Sequence, residues 1–282
     1  MSNNLLVLQS DFGLVDGALS AMIGVALQES RDLVVHNLTH YITPYNIFEG
    51  SYRLFQTVEY WPEGTTFVSV VDPGVGSKRK SVVALTNKNQ YIVTPDNGTL
   101  SFIKKHVGIK AVREISEVAN RRANTEHSYT FHGRDVYAYT GAKLASGHIS
   151  FEEVGPELSV EHIVEIPTVE TEVGSDFVKG AIDILDVRFG SLWTSVTREE
   201  FYTLLPEFGD RFEVTIYNND MLVYQNQVTY GKSFADVRIG QPLLYINSLY
   251  RVGLAINQGS FAKAYNVGVG QNWHIEIRRI VN

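Results

Sequence analysis

The chain has 282 residues, enough for one large domain or two ordinary ones with a substantial core. Its 24 Lys and Arg against 31 Asp and Glu give a net charge of −7 with no basic block, which argues against nucleic acid or an anionic membrane as partner. It has no cysteine, which excludes disulfides, thiolate catalysis and cysteine-ligated metal.

The opening Met-Ser-Asn-Asn lacks the basic and apolar segments of a signal peptide, and no apolar run is long enough to span a bilayer. A cytoplasmic protein is expected. Leu5 to Leu8 reads as a strand ending at Ser10-Asp11-Phe12-Gly13. Asp16 to Glu29 follows as a helix, with Leu19, Met22, Ile23, Ala26 and Leu27 at helical spacing. Leu33 to Val35 is a second strand. Thr43-Pro44 opens another helix, Thr as N-cap and Pro in the first turn, with Phe48, Tyr52, Phe55 and Val58 as its buried stripe.

The apolar run Thr66 to Val71 reads as a buried strand, so Asp72 sits where that strand ends and the turn Pro73-Gly74-Val75-Gly76-Ser77 begins. In α/β sheets the carboxyl ends of strands are where ligands bind. Gly74 and Gly76 are expected to take conformations that side chains forbid. Strands follow at Ser81 to Leu85 and Tyr91 to Val93, then helices at Thr99 to His106 and Arg134 to Ser146. Alternating strands and helices predict a mostly parallel sheet covered on both faces. This α/β domain is placed at residues 1–165.

From about Thr171 the pattern changes to short strands with polar turns: Val178 to Leu185, Leu192 to Val196, Phe212 to Tyr217, Met221 to Tyr224, Leu243 to Asn247 and His274 to Ile280. Asn218-Asn219-Asp220 is the clearest hairpin turn, and only Arg198 to Leu205 reads as helical. An antiparallel β-barrel domain over residues 172–282 is expected, joined by a linker within Pro156 to Val173.

An acid, a base and a cation stand out in the first half: Asp72, His132 in Phe131-His132-Gly133-Arg134-Asp135, and Arg79. Together they form a plausible device for activating water. Taken singly, each has an ordinary structural reading: a turn residue, a core histidine, a solvated cation beside Lys78 and Lys80.

The order of motifs is more specific. Ser10-Asp11-Phe12-Gly13, Thr39-His40 with Ile42-Thr43-Pro44, Val71-Asp72-Pro73-Gly74-Val75-Gly76-Ser77 with Arg79, Thr94-Pro95-Asp96-Asn97-Gly98 and Phe131-His132-Gly133-Arg134-Asp135 occur in turn. Asp186 with Phe189-Gly190, and Asn247-Ser248 through Asn257-Gln258-Gly259-Ser260, follow in the second half. This series resembles the S-adenosyl-L-methionine (SAM) hydroxide adenosyltransferases, relatives of enzymes that halogenate SAM.

The resemblance implies an α/β domain joined to a β-barrel, and a homotrimer with SAM bound between subunits. The implied reaction is attack of water on the ribose C5′ of SAM, giving adenosine and methionine, with SAM as substrate and neither cofactor nor metal. It implies Asp72, Arg79 and His132 as the water-activating group, with the choice of proton acceptor between Asp72 and His132 left open. Asp11 would hold the ribose hydroxyls, and Asp16 and Asp186 the methionine ammonium. Phe131 and Phe189 would pack on purine or ribose, Tyr45 near the ribose, and Asn257 on the adenine edge. Ser191, Asn247 and Ser248 complete the implied substrate contacts. Two positions depart from the family pattern: Ser191 stands where Asn is usual, and Tyr250 where Gly is usual.

Three other readings compete. Halide addition to SAM is disfavoured by the carboxylate of Asp72, which repels a halide. A metal-dependent hydrolase built on Asp11, His36, His40, Asp72 and His132 lacks a recognisable ligand spacing. A SAM or adenosine binding module without turnover leaves the trio of Asp72, Arg79 and His132 unexplained.

Overall fold

The computed structural model describes residues 3–280, which form two compact units divided between Ile166 and Pro167. The first unit is a sheet between two helical layers. Its strands are β1 (Leu5–Ser10), β2 (Val34–Thr39), β3 (Thr66–Val70), β4 (Ser81–Thr86), β5 (Tyr91–Pro95), β6 (Ile109–Glu114) and β7 (Glu157–Leu158), in the spatial order β2-β1-β3-β5-β4-β6-β7. β2, β1, β3 and β5 pair in parallel, and β4, β6 and β7 extend the sheet through antiparallel pairs. Almost every residue of β1, β3 and β4 is buried, as a strand covered on both faces requires.

Helices α1 (Ala18–Glu29) and α5 (Tyr139–Ser146) pack one face through Leu19, Met22, Ala26, Ala142 and Leu144. Helices α2 (Ile47–Val58) and α3 (Ser101–His106) cover the other through Leu54, Val58 and Ile103. α4 (Glu117–Asn120) is a single turn. The register Ser10↔Val70 places the carboxyl ends of β1 and β3 side by side. Asp11 and Asp72, the residues that follow, therefore leave the sheet at one edge.

Several boundaries differ from the sequence reading. α2 begins three residues after Pro44, capped by Asn46, whose side chain accepts from the Glu49 amide at 3.0 Å. Thr43 is not the cap; its amide donates to the Glu49 carboxylate. α1 starts after Asp16, whose carboxylate accepts from the Ala18 amide at 2.9 Å. The helix expected from Arg134 opens instead as a π-helical turn, Gly133–Ala138, ahead of α5. β6 escaped notice because Lys110, Arg113 and Glu114 dilute its apolar alternation. Residues 156–166 are not free linker: β7 pairs with β6, and Ile163 is buried against the core of the first unit.

The second unit is a closed barrel. β9 (Phe177–Asp186), β10 (Ser191–Thr197), β11 (Arg211–Asn218), β12 (Met221–Tyr230), β13 (Pro242–Ile246), β14 (Arg251–Ile256) and β15 (Gly270–Arg279) form a ring of seven, sealed by β10 on β9. β8 (Glu172–Val173) adds to β9 outside the ring. All ring pairs are antiparallel except β12–β13. Val178, Leu192, Val214, Tyr224, Val252 and Ile275 fill the interior, capped by α6 (Arg198–Tyr202) and α7 (Phe261–Tyr265). β14 carries Gly253 and Ala255, poor strand formers, and α7 is only five residues long, too short to show a helical period.

Candidate active site

Four motif segments meet at the carboxyl ends of the parallel strands. Asp11 follows β1, His40 follows β2, Asp72 lies two residues past β3 and Asp96 follows β5. They also tie one another down. The Ser10 hydroxyl meets His40 Nδ1 at 2.7 Å, and the Gly13 amide donates to the His40 carbonyl at 2.7 Å. Asn97 donates to the Val71 carbonyl at 2.8 Å, and Thr94 to the Ser69 carbonyl at 2.9 Å. Asp11 accepts from the Tyr45 amide at 2.9 Å, an arrangement that holds Tyr45 at φ +69° with its ring exposed.

Asp72, Arg79 and His132 form one cluster. Arg79 grips the Asp72 carboxylate with two hydrogen bonds, Nε to Oδ1 at 2.8 Å and Nη2 to Oδ2 at 2.5 Å. Such a bidentate fork fixes orientation as well as charge. The same Nη2 meets His132 Nδ1 at 3.0 Å. Arg79 Nη1 donates to Ser81 Oγ at 3.0 Å, and Ser81 in turn meets the Tyr137 hydroxyl at 3.1 Å. That hydroxyl lies 3.5 Å from Asp72 Oδ2. Gly76 makes the turn from Asp72 to Arg79 possible: its φ is +77°, and a Cβ there would stand 3.0 Å from the Tyr129 carbonyl. Gly74 needs no such freedom.

Charges follow from this packing. Burial works against the Arg79 charge, but the Asp72 hydrogen bond and carboxylate more than offset it and raise its pKa. For His132, burial is the largest influence and lowers the pKa; Glu117 opposes it, Arg79 and Arg121 add to it, and Asp72 opposes it. His132 is therefore neutral at neutral pH. Burial pushes the Tyr137 hydroxyl far up, so it stays protonated. A cavity of about 340 Å³ opens beside the cluster, lined by Asp11, Phe12, Tyr45, Asp72, Phe131 and His132 among others. Phe131 packs edge-on against Phe12 at 5.8 Å. Asp16 is exposed on the loop that follows Phe12 and does not line this cavity.

In the second unit a cavity of about 650 Å³ gathers Asp186, Phe189, Ser191 and Asn257, with Arg188 and Phe234. Phe189 is exposed, on the turn closed by the Gly190 amide to the Asp186 carbonyl at 2.7 Å. Ser191 is buried and hydrogen-bonds the Tyr245 hydroxyl. Asn257 already spends one N–H of its amide on the Val237 carbonyl at 2.8 Å, which leaves the other N–H and the acceptor oxygen.

Asn247 and Ser248 are not brought to this cavity. They sit at the other end of β14, where Arg251 stands opposite Thr197, whereas Leu254 stands opposite Leu192 beside Ser191. The Asn247 oxygen accepts the amides of Leu249 at 2.9 Å and Arg251 at 3.1 Å, so it caps the β13–β14 turn. Ser248 is exposed on that turn. Tyr250 there has φ +56°, a conformation that suits Gly and costs a tyrosine about 1–2 kcal/mol. This accounts for the residue usual at that place.

The sequence reading missed Tyr137, Ser81, Arg121 and Glu117. Among the described residues, no three His, Asp or Glu side chains come together as a metal site. His36 packs against Trp61 at 5.2 Å, away from the His40 ring, which faces Ser10 and Asn37.

The sequence matches the domain described as the SAM hydroxide adenosyltransferase N-terminal domain over residues 6–155, and the C-terminal domain of the same name over residues 180–274. The chain belongs to the SAM hydroxide adenosyltransferase family. Within the family it is 31% identical to the (R)-S-adenosyl-L-methionine hydrolase of Thermus thermophilus, across 93% of this chain and 95% of that one. The hydrolase of the same name from Methanocaldococcus jannaschii is 34% identical over 70% of this chain and 68% of its own. A fluorinase from Actinopolyspora mzabensis is 25% identical over 96% of each. Among solved structures, an uncharacterized conserved protein of Thermotoga maritima superposes with a TM-score of 0.89 at 29% identity, covering 97% of this chain and all of that one.

In this family member the His40 contact joins two motifs through a buried ring, and burial pushes its pKa down to about 4. Above pH 6.5 the ring is neutral in both the folded and the unfolded chain, and pH has no leverage through it. Between 6.5 and about 4 the unfolded chain binds a proton that the folded chain refuses, so stability falls as the medium is acidified. The full loss is on the order of 3 kcal/mol. Urea unfolding at stepwise lower pH should show it. His40→Gln should be the less stable protein at pH 7.5, with the gap to wild type narrowing towards pH 5.

Proposed function

We propose that this protein hydrolyses SAM to adenosine and L-methionine, and that Asp72 receives the proton of the attacking water. The observation that carries this reading is the Asp72–Arg79–His132 cluster, whose Asp72 and His132 line a cavity that Asp11 also lines. The water oxygen attacks the ribose C5′ as the C5′–S bond breaks. The bonding pair stays on sulfur, which leaves as a neutral thioether and needs no acid. The water proton passes to Asp72 and from there to solvent. SAM itself is the substrate, and the chemistry requires no cofactor.

His132 is a poor proton acceptor in this setting. Its imidazolium would point two N–H groups at two guanidiniums, Arg79 and Arg121. The ring instead accepts from Arg79 at Nδ1 and steadies the fork that holds Asp72. Arg79 fixes the orientation of the Asp72 carboxylate through its two-pronged contact. Positioning of this kind supplies up to ~7–11 kcal/mol in favourable cases.

Asp11, with one oxygen on the Tyr45 amide, has capacity left for ribose hydroxyls. Phe131 offers a face to the sugar or base, and Tyr45 sits at the cavity mouth. Asp186, Phe189, Ser191 and the Asn257 oxygen, grouped on the barrel, suit an ammonium and an adenine edge. Asp16 is the second candidate for the ammonium. Each cavity by itself supplies part of the contact set, which supports a homotrimer whose sites combine the two units from neighbouring subunits. A cytoplasmic setting, with neither nucleic acid nor membrane engaged, fits the acidic chain. The names of the hydrolase relatives specify the (R) sulfonium, and the same epimer is proposed here.

Chromatography of a SAM incubation tests the reading: equal amounts of adenosine and methionine are expected, with EDTA without effect. Adding fluoride or chloride separates the neighbouring chemistry, since a carboxylate on the cavity wall repels a halide. A 5′-halo-adenosine product would reverse the assignment. Binding of SAM without any product would make the protein a binding module.

A further inference from the structure

We propose that Arg121 is a positioning residue for the hydrolysis, which together with Arg79 brackets the His132 ring between two guanidinium groups and holds it neutral. The inference rests on the proposed reaction for its kinetic consequence, but the bracket itself is a matter of geometry. His132 is 3% exposed, and both ring nitrogens face cations: Nδ1 lies 3.0 Å from Arg79 Nη2, and Nε2 lies 3.4 Å from Arg121 Nη1. A neutral imidazole accepts one hydrogen bond and donates one; an imidazolium accepts none. The shorter contact selects Nδ1 as the acceptor and leaves the ring proton on Nε2. Protonating Nδ1 would put a second positive centre against Arg79 and break the bond to it.

Arg121 is built into place. It follows the single turn α4, and its side chain is 6% exposed. Nε meets Thr125 Oγ1 at 3.3 Å, and Nη2 donates to the carbonyls of Ser128 at 2.7 Å and Thr125 at 3.3 Å. Nη1 pairs with Glu117, and the guanidinium lies 4.8 Å over the ring of Tyr129, which itself packs edge-on against His132 at 6.2 Å. So many anchors on one exposed-looking loop arginine leave its remaining Nη1 face directed at the imidazole.

The groups that face His132 from every side are then accounted for. Arg79 and Asp72 come from the β3–β4 connection, Glu117 and Arg121 from α4 and its end, Tyr129 from the following loop, and Tyr137 from the π-helical turn. The two guanidiniums oppose protonation of the ring and the two carboxylates favour it. Removing Arg121 takes away one opposing cation and leaves Glu117 unpaired beside the ring. Both changes favour imidazolium, which detaches from Arg79 and loosens the grip on Asp72.

The test is a pair of variants read by two methods. His132 is identified in histidine proton NMR by the resonance missing from His132→Asn, and its titration is followed without SAM. Arg121→Gln should move the His132 midpoint to higher pH, and Glu117→Gln should move it to lower pH. The acid limb of kcat for SAM hydrolysis should follow in the same two directions, with KM for SAM unchanged. A residue that merely props up the loop would not give opposite shifts. Unmoved midpoints in both variants would overturn the bracket. Should Arg121→Gln fail to fold, the Glu117→Gln titration alone decides: an unmoved or raised midpoint sinks the proposal. If no adenosine forms from SAM, the proposed reaction fails, while the NMR titration still passes judgement on Arg121.

Discussion

Asp72→Asn should reduce kcat for adenosine release by about 10²–10⁴-fold, the range expected when a positioned base is removed, while KM for SAM changes little. The substitution keeps the shape of the side chain and one acceptor oxygen for Arg79, so the cavity wall survives. What it removes is the group to which the water proton passes. A fall in kcat and kcat/KM together marks an interaction that matters in the transition state. A variant that turns over at the wild-type rate would transfer the role of base elsewhere and defeat the proposed chemistry. Steady-state assays by chromatography, with SAM binding followed by calorimetry, separate these outcomes.

Arg79→Ala should cost stability as well as activity. The Asp72 and Arg79 side chains are 5% and 11% exposed, so the substitution strands a carboxylate in a nearly dry site. Breaking such a pair from one side costs about 3 kcal/mol or more, seen as a drop of roughly 6–12 °C in the unfolding temperature for a unit of this size. The double variant Asp72→Asn/Arg79→Ala should recover most of that loss, because no charge is left stranded, yet remain as inactive as either single variant. This non-additivity is the signature of a coupled pair. Equal losses that simply add would mean that Arg79 stabilises the unit through other contacts, such as Ser81.

Much of this site was legible in the sequence because its residues sit where strands stop. The runs ending at Ser10 and Val71 are apolar enough to be strands, and a polar motif after each marks the ligand edge of the sheet. Motif order supplied the rest of the cluster. Two features were not legible. Asn247 and Ser248 resemble binding residues as a dipeptide, but an Asn before a turn also accepts from the amides that follow it, and the Asn247 oxygen does so here, at the end of β14 away from the barrel cavity. Arg121 and Glu117 stand four apart and read as an exposed helical ion pair, although the chain folds the arginine inward onto Thr125, Ser128 and His132. Nothing local in the sequence announces that return of the loop.

Tyr137 was missed for a reason of helical phase. With 3.6 residues per turn, a residue five places after His132 points about 140° away from it. In the π-helical turn Gly133–Ala138 the i and i+5 positions come closer in phase, and the two rings stand 6.5 Å apart with the Tyr137 hydroxyl 3.5 Å from Asp72 Oδ2. The wide turn is thus a spacer worth one residue. Evolution or a designer deleting a single position between Gly133 and Ala138 would let the segment wind up as an ordinary helix. The phenol would then swing off towards the sheet, and every downstream side chain of α5 would lose its phase against the core. Length in this short segment is therefore constrained as tightly as residue identity, and families of this fold should tolerate substitutions there far more readily than gaps.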